Sequence, residues 1–89
     1  MVSKEFEVRN PEGFHLRPAT KLCKVAAEYD CIIEFRIRNT RANAKSMLSV
    51  LAAQVKQGDK VTFYCNGQDE TDALQAIGEL LEHNMDMSD

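Results

Sequence analysis

The sequence predicts an α+β fold in which an antiparallel sheet carries helices on one face and meets water on the other. Each predicted strand alternates apolar and polar residues, which is typical of a strand with one buried and one solvated face. Segments of helical periodicity separate the strands, so the predicted order is β-α-β-β-α-β-α. We therefore expect an open-faced β-sandwich, a four-stranded antiparallel sheet covered on one face by three helices.

Four segments show the strand alternation. Over residues 2–9, apolar side chains alternate with polar ones, although Lys4 interrupts the apolar face. The other predicted strands lie at 33–38, 40–43 and 60–66. Between the second and third strands, Arg38-Asn39 predicts a hairpin turn, because asparagine tolerates a positive φ.

Two of the three predicted helices lie in the middle of the chain. The first covers residues 19–29, with Pro18 in its first turn. The second opens with Ser46 as a predicted N-cap and ends near Val55, with Gly58 just beyond as its terminator. It carries more apolar residues than one face can bury, so either some of them form an exposed docking surface or the short helix is buried on several sides.

The third helix begins at a predicted capping box formed by Asp69 and Asp72. Its periodicity buries apolar residues between 73 and 81. Residues 83–89 read as a polar, acidic tail that we expect to be frayed, with His83 as an ordinary surface histidine.

Length and composition narrow the range of functions. We expect the 89 residues to form one domain, 1–89, and the 44% apolar content is enough for a packed core. No apolar run is long enough to span a membrane and no signal-peptide core is present, so we expect a cytoplasmic protein. Cys23, Cys31 and Cys65 fit no zinc pattern with the two histidines, so we expect free thiols, no metal site and no cofactor.

Charge is distributed unevenly along the chain. Residues 1–45 carry nine basic and six acidic side chains, whereas residues 46–89 carry two basic and eight acidic ones. On helical spacing, Arg17, Lys21 and Lys24 form one basic stripe. This stripe is either an ordinary solvated face or a surface that steers an acidic protein partner. A nucleic-acid partner is not expected, because the net charge is −3 and no aromatic residues lie among the basic ones.

Residues 13–20, GFHLRPAT, place a histidine where the first helix starts. Pro18 suits a first turn, so the N–H groups of Leu16 and Arg17 have no acceptor within the helix and are free to bind an anion. The Arg17 guanidinium adds a positive charge, and His15 supplies a nucleophile that works near pH 7. These residues predict a phosphate carried on His15, the alternative being a capping or surface histidine.

The chain resembles the HPr family, the histidine-containing phosphocarrier proteins of the bacterial phosphoenolpyruvate:sugar phosphotransferase system. The segment 13–19, GFHLRPA, is similar to the active-site signature, and 43–48, NAKSML, to the signature around a regulatory serine. Segments 58–62 and 67–70 also match at the expected spacing, so the resemblance covers essentially the whole chain. It implies the open-faced sandwich fold predicted above.

The resemblance implies a phosphoryl relay. Enzyme I would phosphorylate His15 on Nδ1, and the phosphoprotein would pass the group to a sugar-specific A domain. Arg17 would balance charge, the N–H groups of Leu16 and Arg17 would hold the phosphate, and Pro18 would shape the helix start. The family's docking positions correspond to Met47, Leu48 and Leu51, with Thr20 and Lys24 beside them. The protein would be a monomeric protein substrate of enzyme I rather than an enzyme.

The resemblance also implies regulation at Ser46. In some members an HPr serine kinase/phosphorylase modifies this serine, and the product binds catabolite control protein A; the alternative is a serine that only caps the helix. Glu12, Leu16, Ser49 and Gln54 depart from the family's usual residues. The departures at Glu12, Leu16 and Ser49 leave room for a regulatory paralogue of the nitrogen or catabolite-repression branch. A free-standing hydrolase is disfavoured, because no second acid–base group or pocket-forming loop accompanies His15.

Overall fold

A computed structural model describes residues 1–84 of the protein. Its four strands and three helices follow the predicted order. The strands are β1 (Val2–Glu7), β2 (Ile32–Ile37), β3 (Thr40–Asn43) and β4 (Lys60–Asn66). The helices are α1 (Leu16–Ala27), α2 (Met47–Ala52) and α3 (Glu70–Glu79), and α3 continues as a π-helical turn over Leu80–Asn84. Of the predicted acidic tail, residues 85–89 lie outside the described residues, and the side chain of His83 is exposed.

The strands form one antiparallel sheet in the order β1-β4-β2-β3. The register places Val2 and Ile33 on either side of Cys65, and Phe35 between Phe63 and Ala42. Because residues directly opposite each other share a face, these rows build one continuous apolar surface. The helices pack on that surface and leave the other face open, which confirms the predicted open-faced sandwich.

Four buried phenylalanines form a chain of ring contacts through the core. The ring of Phe6 lies 6.0 Å from that of Phe63, which lies 5.1 Å from Phe35. Phe35 in turn meets Phe14 edge-on at 5.5 Å. Each such contact stabilises the fold by about 0.5–1.5 kcal/mol beyond the burial of area. The chain of rings links the edge strand β1 to the segment that precedes α1.

The first helix begins three residues earlier than predicted and ends two residues earlier. The extended backbone of His15 forms the N-cap, and its carbonyl accepts a hydrogen bond from the Ala19 N–H at 2.8 Å. At the other end, the Lys45 ammonium donates to the Tyr29 carbonyl at 2.6 Å. The apolar periodicity runs on to Tyr29, but this contact with a residue 16 positions away fixes the chain outside the helix.

The second helix is also shorter than predicted, ending at Ala52 rather than near Val55. Gln54 takes the left-handed conformation that ends it, with a φ of 54°, whereas Gly58 serves a later turn. Val55 is then free to leave the helix and is buried in the core. The sequence pattern failed here because a glutamine stands where a glycine usually ends a helix.

The hairpin between β2 and β3 lies where it is predicted, but the positive φ falls on Arg38, at 52°, and not on Asn39. The Arg38 guanidinium donates to the Asp59 carboxylate at 3.3 Å and to the Ala53 carbonyl at 3.4 Å. These contacts hold the strained residue in place, and they could not be read from the local sequence.

The predicted capping box at α3 is wrong. Asp69 is the N-cap residue, but its side chain makes no capping hydrogen bond. Its carboxylate instead accepts hydrogen bonds from the N–H groups of Asp30, at 2.8 Å, and Cys31, at 3.0 Å. Glu70 accepts from the Gly67 N–H at 3.0 Å and closes the turn. Asp69 therefore joins α3 to the segment that enters β2.

None of the helices within residues 1–84 has the length and apolar character that a membrane crossing requires.

Acid should weaken the protein through these carboxylates. Hydrogen bonds from the Asp30 and Cys31 N–H groups lower the pKa of Asp69, and the Lys56 N–H, followed by Arg38, lowers that of Asp59. A carboxylate whose pKa is lower in the folded state stabilises the fold above its ordinary value of about 3.9 and loses that contribution as the pH falls through the folded pKa. We expect the free energy of unfolding, measured by urea denaturation, to fall steadily below about pH 4.

Asp69→Asn isolates one part of this effect. It should lower the stability at neutral pH and flatten the decline in acid. Asp72→Asn is the matched control, because the Asp72 side chain is exposed in the first turn of the same helix and does not link α3 to the entry of β2. Equal acid profiles for the Asp69 variant and the wild type would contradict the assigned role of the carboxylate.

Candidate functional site

The predicted nucleophile lies at the start of α1 with its side chain free. His15 has an extended backbone, with a φ of −77° and a ψ of −172°, and its imidazole makes no capping hydrogen bond. The side chain is exposed. Its backbone thus starts the helix while its ring is left open to another molecule.

The two predicted N–H donors lie beside it in the first turn. Leu16 and Arg17 are the first two residues of α1, and neither N–H has an acceptor in the part of the chain that the structure describes. Pro18 follows as a buried residue with no N–H to satisfy. The helix therefore presents two open donors and the positive end of its dipole next to His15. The structure brings together the four residues that the sequence placed at this site.

The loop before His15 is held by residues that sequence analysis did not single out. Asn10 is 3% exposed, and its side-chain amide donates a hydrogen bond to the Gly13 carbonyl at 2.7 Å. The backbone carbonyl of Asn10 accepts a hydrogen bond from the Gly13 N–H at 3.1 Å. The Phe14 N–H donates to the Val55 carbonyl at 3.0 Å. An asparagine before a proline is a turn signal, but no local pattern points to Val55, which lies 41 residues further along the chain.

Two shallow depressions meet at His15. One is lined by Leu51, Gln54 and Lys56 together with residues 14–16. The other is lined by Glu12, Leu16 and Arg17. The histidine thus has basic side chains on both sides, Arg17 and Lys56, and one carboxylate, Glu12. Lys56 was missed by sequence analysis because only the fold brings it to the site.

The predicted docking residues lie on the adjoining faces of α1 and α2. Leu48 is 81% exposed, Leu16 67% and Leu51 37%. Leu16 and Leu51 line a depression together with His15. Met47 is half-buried, and its sulfur lies 3.9 Å from the hydroxyl of Thr20. We call this apolar area, formed by Leu16, Met47, Leu48 and Leu51, the α1–α2 surface. Lys24 is exposed on α1, two turns beyond Arg17.

Ser46 forms the N-cap of α2, as predicted. Its hydroxyl accepts a hydrogen bond from the Ser49 N–H at 3.2 Å. The side chain is half-buried and directly precedes Met47 on the α1–α2 surface. The neighbouring Lys45 ammonium donates a hydrogen bond to the Tyr29 carbonyl instead of to Ser46.

The three cysteines are free thiols. Burial raises the pKa of all three, with Asp69 adding to the effect at Cys31, and the pKa of Cys65 reaches about 11. They are therefore weak nucleophiles near neutral pH. No group of three or more metal-binding side chains occurs among residues 1–84.

Fold and site together define a small sandwich that displays a histidine on its surface instead of enclosing a substrate. A family model described as the PTS HPr component phosphorylation site matches residues 2–83. The chain belongs to the HPr family of phosphocarrier proteins.

Two sequence relatives have similar identity but different lengths. The chain is 40% identical over 81 residues to the phosphocarrier protein HPr of Lysinibacillus sphaericus, covering 91% of this chain and 92% of that one. It is 39% identical over 83 residues to DhaM of Providencia stuartii, the phosphoryl donor subunit of a PEP-dependent dihydroxyacetone kinase. That match covers 93% of this chain but only 17% of DhaM.

Solved structures have the same fold. The crystal structure of HPr-C-His from Thermoanaerobacter tengcongensis superposes with a TM-score of 0.94 at 30% identity, covering 99% of both chains. Crh, the catabolite repression protein of Bacillus subtilis, solved as a dimer with a swapped domain, gives a TM-score of 0.75 at 27% identity, covering 94% of this chain and 97% of that one.

Gly13→Ala should destabilise the protein by about 1–3 kcal/mol. Gly13 has a φ of 60°, and a Cβ there would collide with the Val55 carbonyl oxygen and lie 2.8 Å from the Lys56 Cα. Gly58→Ala is the control, because Gly58 also has a positive φ, 92°, but faces open space. Urea denaturation should show the smaller loss for Gly58→Ala, and equal losses would show that the close approach to Val55 is unimportant.

Proposed function

We propose that this protein is a cytoplasmic phosphocarrier that accepts a phosphoryl group from phospho-enzyme I on His15 and passes it to sugar-specific A domains. The observation that supports this most is the exposed imidazole at the start of α1, beside the unpaired N–H groups of Leu16 and Arg17. Phosphoryl transfer depends mainly on position and on stabilisation of charge, and this site offers both.

The transfer can be written with the residues present. Nδ1 of neutral His15 attacks the phosphorus of phospho-enzyme I as the donor's own bond to phosphorus breaks, and no water enters. The phosphate oxygens then face the N–H groups of Leu16 and Arg17 and the Arg17 guanidinium. In the second transfer, a nucleophile of the A domain attacks the same phosphorus, and the bond between phosphorus and Nδ1 of His15 breaks. The protein is consumed and regenerated in each cycle, so it acts as a substrate of enzyme I and not as an enzyme.

The α1–α2 surface supplies the proposed docking area. Its exposed leucines and Met47 offer apolar contact beside His15, with Thr20 and Lys24 at its border. The basic residues Arg17 and Lys24 steer acidic partners towards it. The same α1–α2 surface serves enzyme I and the A domains in turn, because the same histidine must reach the reacting group of each. We propose that the carrier works as a monomer.

We further propose that phosphorylation of Ser46 by an HPr serine kinase/phosphorylase regulates docking, and that the product binds catabolite control protein A. A phosphate at the start of α2 lies near the positive helix end, so the fold tolerates it. The same dianion lies beside Met47 and Leu48, where an acidic partner would be repelled.

Two relatives support alternatives, either another acceptor of the phosphoryl group or another partner for the α1–α2 surface. The similarity to DhaM favours a donor that delivers the group to a dihydroxyacetone kinase, although the chain spans a small part of that subunit. The similarity to Crh favours a regulatory paralogue that acts through binding of its phosphorylated forms. Delivery to the A domains of sugar transport is the first choice, because the HPr of Lysinibacillus sphaericus is matched along nearly its whole length.

Incubation with phosphoenolpyruvate and enzyme I should add one acid-labile phosphoryl group to the wild type and none to His15→Ala. Intact-mass measurement before and after acid treatment reads this out. His83→Ala is the matched control, because it removes the other histidine and should be phosphorylated like the wild type.

Phosphorylation of the His15 variant, or none on a folded wild type with active enzyme I, would contradict the proposal. The phosphorylated protein is then incubated separately with a sugar-specific A domain and with the receiving subunit of a dihydroxyacetone kinase. Transfer to the second alone would assign the chain to the DhaM branch, and acceptance by neither would favour the regulatory paralogue.

Ser46→Asp should slow phosphorylation of His15 by at least about fivefold, which corresponds to about 1 kcal/mol of repulsion at the docking surface. Its stability should stay within about 0.5 kcal/mol of the wild type, because aspartate also caps helices well. Ser46→Asn is the control, since it keeps the cap without the charge. Equal transfer rates for the two variants would show that charge at this position does not control docking.

A further inference from the structure

The β2–β3 hairpin places two arginines on the face of the sheet that no helix covers and a third at its turn. Arg36 lies directly opposite Arg41 in the register, and both are exposed while Phe35 and Ala42 beside them face the core. These two arginines line a shallow depression together with Arg38 and Asn39 at the turn. Three of the chain's 11 basic residues therefore meet at one corner of an acidic protein.

This arrangement runs against the usual pairing of side chains across strands. Like charges directly opposite each other destabilise a sheet. Neither Arg36 nor Arg41 forms an ion pair with another residue in 1–84. Glu34, on the same face of β2, lies opposite Asn43 and Tyr64, so it neutralises neither arginine in the register. An uncompensated conflict of this kind is expected where a ligand supplies the missing charge.

Two of the three guanidinium groups are already held in place. The Arg36 guanidinium carbon lies 5.7 Å from the ring centroid of Tyr64 on β4, a cation–π contact. Arg38 is fixed by Asp59 and the Ala53 carbonyl. Stacking on an aromatic face leaves the N–H groups at the edge of the Arg36 guanidinium available to an anion. Of the two arginines that face the open side of the sheet, Arg36 has thus met part of the entropy cost of ordering before any ligand binds.

We propose that Arg36 and Arg41 bind the dianionic phosphate of a small phosphate monoester on the open face of the sheet. Opposite residues of an antiparallel pair have Cβ atoms about 4.5–5.5 Å apart, so both planar guanidinium groups reach one phosphate. The depression, at about 230 Å³, is smaller than ordinary ligand pockets of about 300–1,000 Å³. Recognition is therefore centred on the phosphate and not on the rest of the ligand.

The site is separate from His15. Arg36 and Arg41 point away from the helices, whereas His15 starts one of the helices on the other face. Loss of the arginines therefore leaves phosphorylation by enzyme I intact, and loss of His15 leaves the arginine site intact. An experiment can therefore disprove the arginine site without affecting the proposed phosphorylation of His15, and the reverse also holds.

The test is a titration of the full chain with glycerol 3-phosphate, followed residue by residue through backbone amide NMR shifts. Saturable shifts are expected at residues 36–41, and uncharged glycerol should produce none. The double variant Arg36→Gln/Arg41→Gln should weaken binding there by at least tenfold while any shifts at residues 15–17 are retained. Arg9→Gln, which removes the charge of an exposed arginine elsewhere, is the matched control and should bind like the wild type.

Further arms make the proposal falsifiable. Arg36→Lys/Arg41→Lys keeps both charges but loses the planar fork, so wild-type affinity in this variant would overturn recognition by guanidinium groups. Inorganic phosphate that binds while the monoester does not would assign the site to the free ion and overturn the monoester. Shifts at 36–41 that follow protein concentration without ligand would assign the face to a second copy of the chain. Shifts confined to residues 15–17 would also overturn the proposed binding site at Arg36 and Arg41.

Discussion

The hydrogen bond from the Phe14 N–H to the Val55 carbonyl joins the two parts of the chain that form the candidate site. It ties the loop before α1 to the segment that leaves α2, and it requires both to come unusually close. Gly13 permits the approach because a Cβ there would collide with Val55. Gln54 accepts a left-handed backbone so that Val55 can turn into the core. The position of His15 relative to the α1–α2 surface follows from this contact.

The sheet beneath gives that contact a rigid support. Phe14 belongs to the chain of four phenylalanine rings that runs through β2 and β4 to β1, so displacing the loop would disturb packing across the whole core. A carrier needs such a support because its reactive group must be exposed to large partners while its geometry stays fixed. The packed core therefore fixes the backbone of His15 and the direction of the open N–H groups of Leu16 and Arg17, while the imidazole is exposed.

Sequence alone predicts the strands well, and it places residues 15–18 together at the start of a helix, because both depend on local patterns. Alternation in 33–38 and 60–66 reflects which face each residue presents, and residues 15–18 are consecutive. The ends of the elements depend instead on distant partners: Lys45 binds the Tyr29 carbonyl just beyond α1, and Asp69 binds the entry to β2 instead of capping its own helix. Lys56 was missed for the same reason, since only the fold brings it to the site. Asn10 acts locally on Gly13, and its sequence signal, an asparagine before a proline, indicates a turn without showing that its side chain holds the loop.

Among residues 1–84, Glu12 is the one acidic side chain that lines the depressions at His15. In the proposed phosphorylated form, Arg17, Lys56 and two backbone N–H groups would attract the phosphate, and the Glu12 carboxylate would oppose them. Because Glu12 is exposed, water and salt screen its charge, so it would weaken the hold on the phosphate without preventing the proposed phosphorylation. A carrier that bound its phosphate too strongly would not release it to the next protein. We infer that Glu12 shifts the balance between acceptance and release towards release.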